Sequence, residues 1–137
     1  ISEIEGVTSK GGDWIILIKS ATNVLRGDNF VFVYPELVEN KIIVRRGEVI
    51  TSEIIEKKDL DYKNINLKIK TLLRKTRDKI KLKGSIVNEI TTKGDFVKKI
   101  RDSIKINQVN KYRIEVLSLK NSKTADSIIV ELNIIKL

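Results

Sequence analysis

Isoleucine, leucine and valine gather along this chain in strand-sized runs, one roughly every 10–15 residues. The runs are Trp14–Lys19, Phe30–Tyr34, Lys41–Arg45, Glu48–Glu56, Ile65–Leu73, Lys79–Ile90, Ser103–Ile106, Tyr112–Lys120 and Ser127–Leu137. Gly, Asn, Asp or charged turns bound each of them. Several alternate with a period of two. Ile65, Leu67 and Ile69 stand against Asn66, Lys68 and Lys70, and Ile80 and Leu82 against Lys79, Lys81 and Lys83. Ile128, Val130, Leu132 and Ile134 stand against Glu131 and Asn133. Alternation with polar partners predicts strands with one buried and one wet face. Phe30, Phe32 and Tyr34 share one side of their run and Val31 and Val33 the other, which predicts a strand buried on both sides. Arg46-Gly47, between two runs, suits a tight hairpin turn.

Two segments also fit a second period. Ile65, Ile69, Leu72 and Leu73 fall at i, i+4, i+7 and i+8, the spacing of a helix face. Phe96, Ile100 and Ile104 do the same, with Gly94 before them and Asp95 placed to cap the start. The second case predicts a short helix near residues 95–101. Were both segments helical, the chain would be α+β. No internal repeat or composition break divides the chain, so one β-rich domain over 1–137 is expected.

The stretch from Asp102 to Asn121 reads as a short strand, a polar turn, a tyrosine opening the next strand, and an alternating run closed by Asn. Ser103–Ile106, the turn Asn107–Lys111, Tyr112, and the runs Arg113–Val116 and Ser127–Leu137 together resemble the last strands of an immunoglobulin-like or fibronectin-type sandwich. The resemblance covers only the C-terminal third. It implies an all-β, antiparallel β-sandwich in which Tyr112 is a structural residue bonded back to the turn. Trp14 is taken as a second structural residue, but it lies too early in the chain for the core tryptophan of that family. The cysteine pair of that family is absent.

Composition narrows the chemistry. The 137 residues contain no Cys, His or Met. Disulfides, thiol nucleophiles and the commonest general base and transition-metal ligand are therefore excluded. Position 1 is Ile, so the sequence reads as a processed chain or as a soluble domain cut from a longer protein. No apolar run approaches the ~18–20 residues of a membrane helix, and no Asn-X-Ser/Thr sequon occurs.

Charge is uneven. Residues 1–58 carry 8 Lys/Arg against 9 Asp/Glu, and residues 59–137 carry 19 against 9, within a net charge of +9. An excess held in one half suggests a surface for something acidic. Its densest part is Lys63–Lys83, where Lys63, Lys68, Lys70, Arg74, Lys75, Arg77, Lys79, Lys81 and Lys83 face a single acid, Asp78. Read as strands, it is a hairpin with Arg74–Asp78 at the tip and all its lysines on one face. Such a ribbon could follow a phosphate backbone. It holds no aromatic between Tyr62 and Phe96, so it lacks stacking platforms for a single strand.

Other motifs are weaker. Arg26-Gly27-Asp28 spells an integrin-binding tripeptide but reads as a plain turn before a strand. Asp59, Asp61 and Asn64 could offer oxygens to a hard cation, yet Lys57, Lys58 and Lys63 surround them and a polar turn or helix cap explains them. No carboxylate pair, Ser–Lys dyad or Gly-rich phosphate loop stands out. The expectation is a module that is not an enzyme and takes no cofactor and no metal. It would work through a protein partner or self-assembly, as the extracytoplasmic soluble part of a prokaryotic cell-surface or filament-associated protein. Its terminal run Ile128–Leu137 would be the strand to watch for pairing with a neighbour. The alternative is an intracellular, cytoplasmic nucleic-acid-binding protein using Lys68, Lys70, Arg74, Lys75, Arg77, Lys79, Lys81 and Lys83.

Overall fold

A computed structural model describes residues 12–20, 33–59, 61–87, 89–106 and 109–137. The tripeptide Arg26-Gly27-Asp28, the residues Phe30, Val31 and Phe32, and the turn residues Asn107 and Gln108 lie outside the described residues. The chain forms two compact units, Ile1–Lys41 and Ile42–Leu137.

The first unit contains an antiparallel ladder of β1 (Trp14–Ser20) and β2 (Val33–Glu39). Trp14 faces Glu39, Ile16 faces Leu37 and Ile18 faces Pro35. Beyond the ladder, the Asn40 amide group donates to the Asp13 carboxylate at 2.9 Å and the Asn40 N–H to the Asp13 carbonyl at 2.8 Å. Trp14 is 38% exposed and takes no place among the buried core residues. Val33 and Tyr34 are exposed too, so a strand buried on both sides is not what β2 provides.

The second unit runs β3 (Ile42–Val44), β4 (Val49–Glu56), a 3-10 turn (Lys57–Asp59), α1 (Tyr62–Leu82), β5 (Ile90–Thr92), α2 (Phe96–Ile106), β6 (Lys111–Ser118), β7 (Ser122–Lys123) and β8 (Ile128–Lys136). Four strands form one sheet in the order β4-β6-β8-β5. The β4/β6 and β6/β8 pairs are antiparallel and β5/β8 is parallel. β3 pairs with β7 in a separate antiparallel ladder.

Alternation sets the inner face of the sheet. Tyr112, Ile114 and Val116 of β6 are buried, as are Ile128, Val130 and Leu132 of β8, and their sequence neighbours turn outward. The two helices bring Ile65, Ile69, Leu72, Ile80, Phe96 and Ile100 into the same core. α1 packs on β4, α2 on β8, and the helices on each other.

The described residues are thus β-rich with two substantial helices, which is the α+β alternative at its coarsest. Several strand expectations give way. Ile65–Leu73 and Lys79–Leu82 belong to one continuous helix, because their apolar residues continue through Thr76 to Ile80 at helical spacing. Ser103–Ile106 is the last turn of α2, and that helix extends beyond the expected 95–101. Arg46-Gly47 does form a turn: the Glu48 N–H reaches the Arg45 carbonyl at 3.0 Å and Gly47 takes φ +81°, the region a third turn position can require. It closes no hairpin, since β3 leaves for β7. The terminal strand is not an edge along its whole length, because β8 lies between β6 and β5.

Candidate functional site

The basic segment is a helix because its ends are specified and its middle has one apolar side. Asp61, in extended conformation, caps α1: its carboxylate accepts from the Asn64 N–H at 2.7 Å. That carboxylate is committed to the helix start, in keeping with the cap reading of Asp59, Asp61 and Asn64. Among the described residues no group of three or more His, Cys, Asp or Glu is placed to hold a metal ion. At the other end, the Ser85 N–H reaches the Ile80 carbonyl at 3.2 Å and the Gly84 N–H the Lys81 carbonyl at 3.1 Å. Gly84 holds φ +113°, and this pair of bonds is the Schellman stop.

Between those ends Ile65, Ile69, Leu72, Thr76 and Ile80 are buried. Thr76 is a hydroxyl in an apolar stripe, and two bonds satisfy it. It donates to the Leu72 carbonyl at 2.7 Å, and its oxygen lies 2.6 Å from the Thr51 hydroxyl on the inner face of β4. Since Thr76 has one proton and gives it to Leu72, Thr51 is the donor between the two hydroxyls.

With that stripe fixed, a turn of about 100° per residue decides where every cation goes. Lys63, Lys70, Arg74, Arg77 and Lys81 fall in one band turned away from the stripe, with Arg77 at its border and the exposed acid Asp78 beside it on the outward side, and all five cations are exposed. From Lys63 to Lys81 is eighteen steps along the helix, or roughly 27 Å at the helical rise. Leu67 shares that side and is 54% exposed. Lys68, Lys75 and Lys79 form a second row along one flank. Lys83 is drawn away: its ammonium pairs with Glu48 at 2.9 Å and holds that carboxyl below its usual range. Among the described residues, no ion pair engages the five outward cations.

The structure therefore gathers Lys70, Arg74, Arg77 and Lys81 of the predicted set, turns Lys68, Lys75 and Lys79 to the flank, and occupies Lys83. A strand reading placed all the lysines on one face; the helix divides them. Sequence reasoning also missed a second basic element. On α2, Lys98, Arg101 and Lys105 are exposed at i, i+3 and i+7, with Asp102 among them. The Asp95 carboxylate caps that helix by accepting from the Lys98 N–H at 3.2 Å. The Arg101 guanidinium stands 5.4 Å from the centroid of the Tyr62 ring. The spacing of Phe96, Ile100 and Ile104 already carried this row, once the helix was extended past residue 101.

Lys99 is used differently. Its ammonium donates to the Leu132 carbonyl, on the side of β8 that the short β5 does not reach. Among the described residues, no helix is long and apolar enough to cross a membrane. No family model, no curated protein and no solved structure matches this chain.

Proposed function

We propose that the chain is a non-catalytic binding module that engages nucleic acid through the outward side of α1. The observation that carries the reading is the row Lys63, Lys70, Arg74, Arg77 and Lys81 on one continuous helix, engaged by no ion pair among the described residues. Five cations along a line answer a line of phosphates, and release of their counterions would drive association. An acidic protein would meet the same charges, but protein interfaces centre on an apolar or aromatic cluster. On this side of α1 the large apolar residues are Leu67 and Leu82, fifteen residues apart, and they form no such cluster.

The reading as a cell-surface or filament-associated module has less support, because β8, the strand it relied on for pairing, is largely occupied within the sheet. The immunoglobulin-like reading keeps two supports, the burial of Tyr112 at the start of β6 and the antiparallel β6/β8 pair. The parallel β5/β8 pair and the helical layer favour α+β. An intracellular location accompanies the nucleic-acid reading.

The test is binding of fluorescently labelled DNA, followed by anisotropy from low to physiological salt. Log affinity should fall linearly with log salt, with a slope of about −3 to −5 if all five cations meet phosphates. The triple variant Lys70→Glu, Arg74→Glu, Arg77→Glu should lose binding with its circular dichroism intact. Lys68→Glu, Lys75→Glu, Lys79→Glu should retain most of it. Absence of binding by the unaltered protein at low salt would discard the reading.

A further inference from the structure

The geometry of the Tyr62 corner points to an identity for the bound strand: we propose that α1 holds single-stranded nucleic acid, with one unpaired base stacked on Tyr62 beside Arg101. This rests on the reading that α1 binds nucleic acid. Tyr62 is the first residue of α1, and 62% of it is exposed. The Arg101 guanidinium lies over one face of this exposed ring, 5.4 Å from its centroid, so a base would stack on the opposite face and form a sandwich with the cation. Unpaired bases are held in this way, on aromatic rings and guanidinium planes.

The surrounding charges lead a strand toward that ring. Lys63, next in the chain, opens the outward row of α1, while Lys98 and Lys105 flank Arg101 along α2. Phosphates on either side of the stacked base would meet one row or the other. The acids next to this corner along the chain are Asp59 and Asp61 before Tyr62 and Asp102 after Arg101, and Asp61 is bonded into its own helix cap. A duplex could use the α1 row but not the ring, because its bases are already stacked on one another. Nor does the outward row offer Asn or Gln, the residues that read adenine edges in a groove.

Anisotropy titrations of the whole chain with a labelled single-stranded 15-mer and with a duplex of the same sequence test this. The single strand should bind more tightly. Tyr62→Ala should weaken it about tenfold or more, leave duplex binding unchanged, and abolish the quenching of a 2-aminopurine placed in the strand. Tyr62→Phe, which keeps the ring, should restore both affinity and quenching. Equal single-strand affinity for Tyr62→Ala and the unaltered protein would overturn the proposal while leaving the α1 reading standing. So would tighter binding of the duplex. Failure of the unaltered protein to bind either form would overturn both.

Discussion

Thr76 shows how much one side chain can conceal. Its hydroxyl sits in the middle of the apolar stripe of α1, so the stripe reads along the sequence as two separate fragments. It is tolerated there only because the Leu72 carbonyl and the Thr51 hydroxyl complete its hydrogen bonds. Glu48 and Lys83 make a different kind of link, tying the turn before β4 to the cap of α1 at 2.9 Å. The Lys83 hydrogen bond holds the Glu48 carboxyl below its ordinary value of 4.5. A carboxyl depressed in the folded state contributes stability that is complete above that ordinary value and is lost as pH falls through the folded one. Both side chains are one-third exposed, so solvent screening keeps the contribution below about 1 kcal/mol. Glu48→Gln should therefore lower Tm slightly at pH 7, and the gap from the unaltered protein should close as pH is taken from about 5 toward 3. A gap that stays constant across that range would contradict the assignment.

The helices and strands differ in how openly their sequences declare them. β6 and β8 were legible because period, turn signals and burial agree: Ile114, Val116, Ile128, Val130 and Leu132 all turn inward as their alternation requires. α2 was legible in kind, from Asp95 and the Phe96–Ile100–Ile104 spacing, though not in length. α1 was not, because Ile65-Asn-Leu-Lys-Ile69 and Lys79-Ile-Lys-Leu82 satisfy the strand period as well as the helix period. Leu67 and Leu82 supplied the false alternation, and both face outward, Leu82 at 88% exposure. β5 is three residues long and pairs in parallel with a strand far along the chain, a relation no local pattern contains. The candidate site followed the same division: the cations were visible, but their arrangement depends on the helix. What ends α1 is Gly84, at φ +113°. A Cβ there would meet Ile43 at 3.8 Å, an ordinary contact, so Gly84→Ala should act through backbone strain alone. The expected loss is about 1–2 kcal/mol, read as a lower urea midpoint at unchanged slope. An unshifted midpoint would mean the Schellman stop is dispensable.

Sheet order governs the molecule more than any single contact. β4 pairs with β6, β5 pairs with β8, and β3 pairs with β7. Each strand of this unit that precedes residue 111 thus has its partner after it, while α1 and α2 lie between. Long-range pairing of this kind makes for slow closure. In a chain stopped after residue 110, the amides of β4 should exchange with solvent freely, whereas those of the full chain should be protected. Protection in the shortened chain would show that the helices alone stabilise β4. The same order has a consequence during synthesis. A ribosome releases β4 and both helices before the strands they need have left its tunnel, so their apolar sides wait uncovered until β6 and β8 have emerged. Such a nascent chain would depend on chaperones, and its cationic helix would emerge unshielded beside ribosomal RNA.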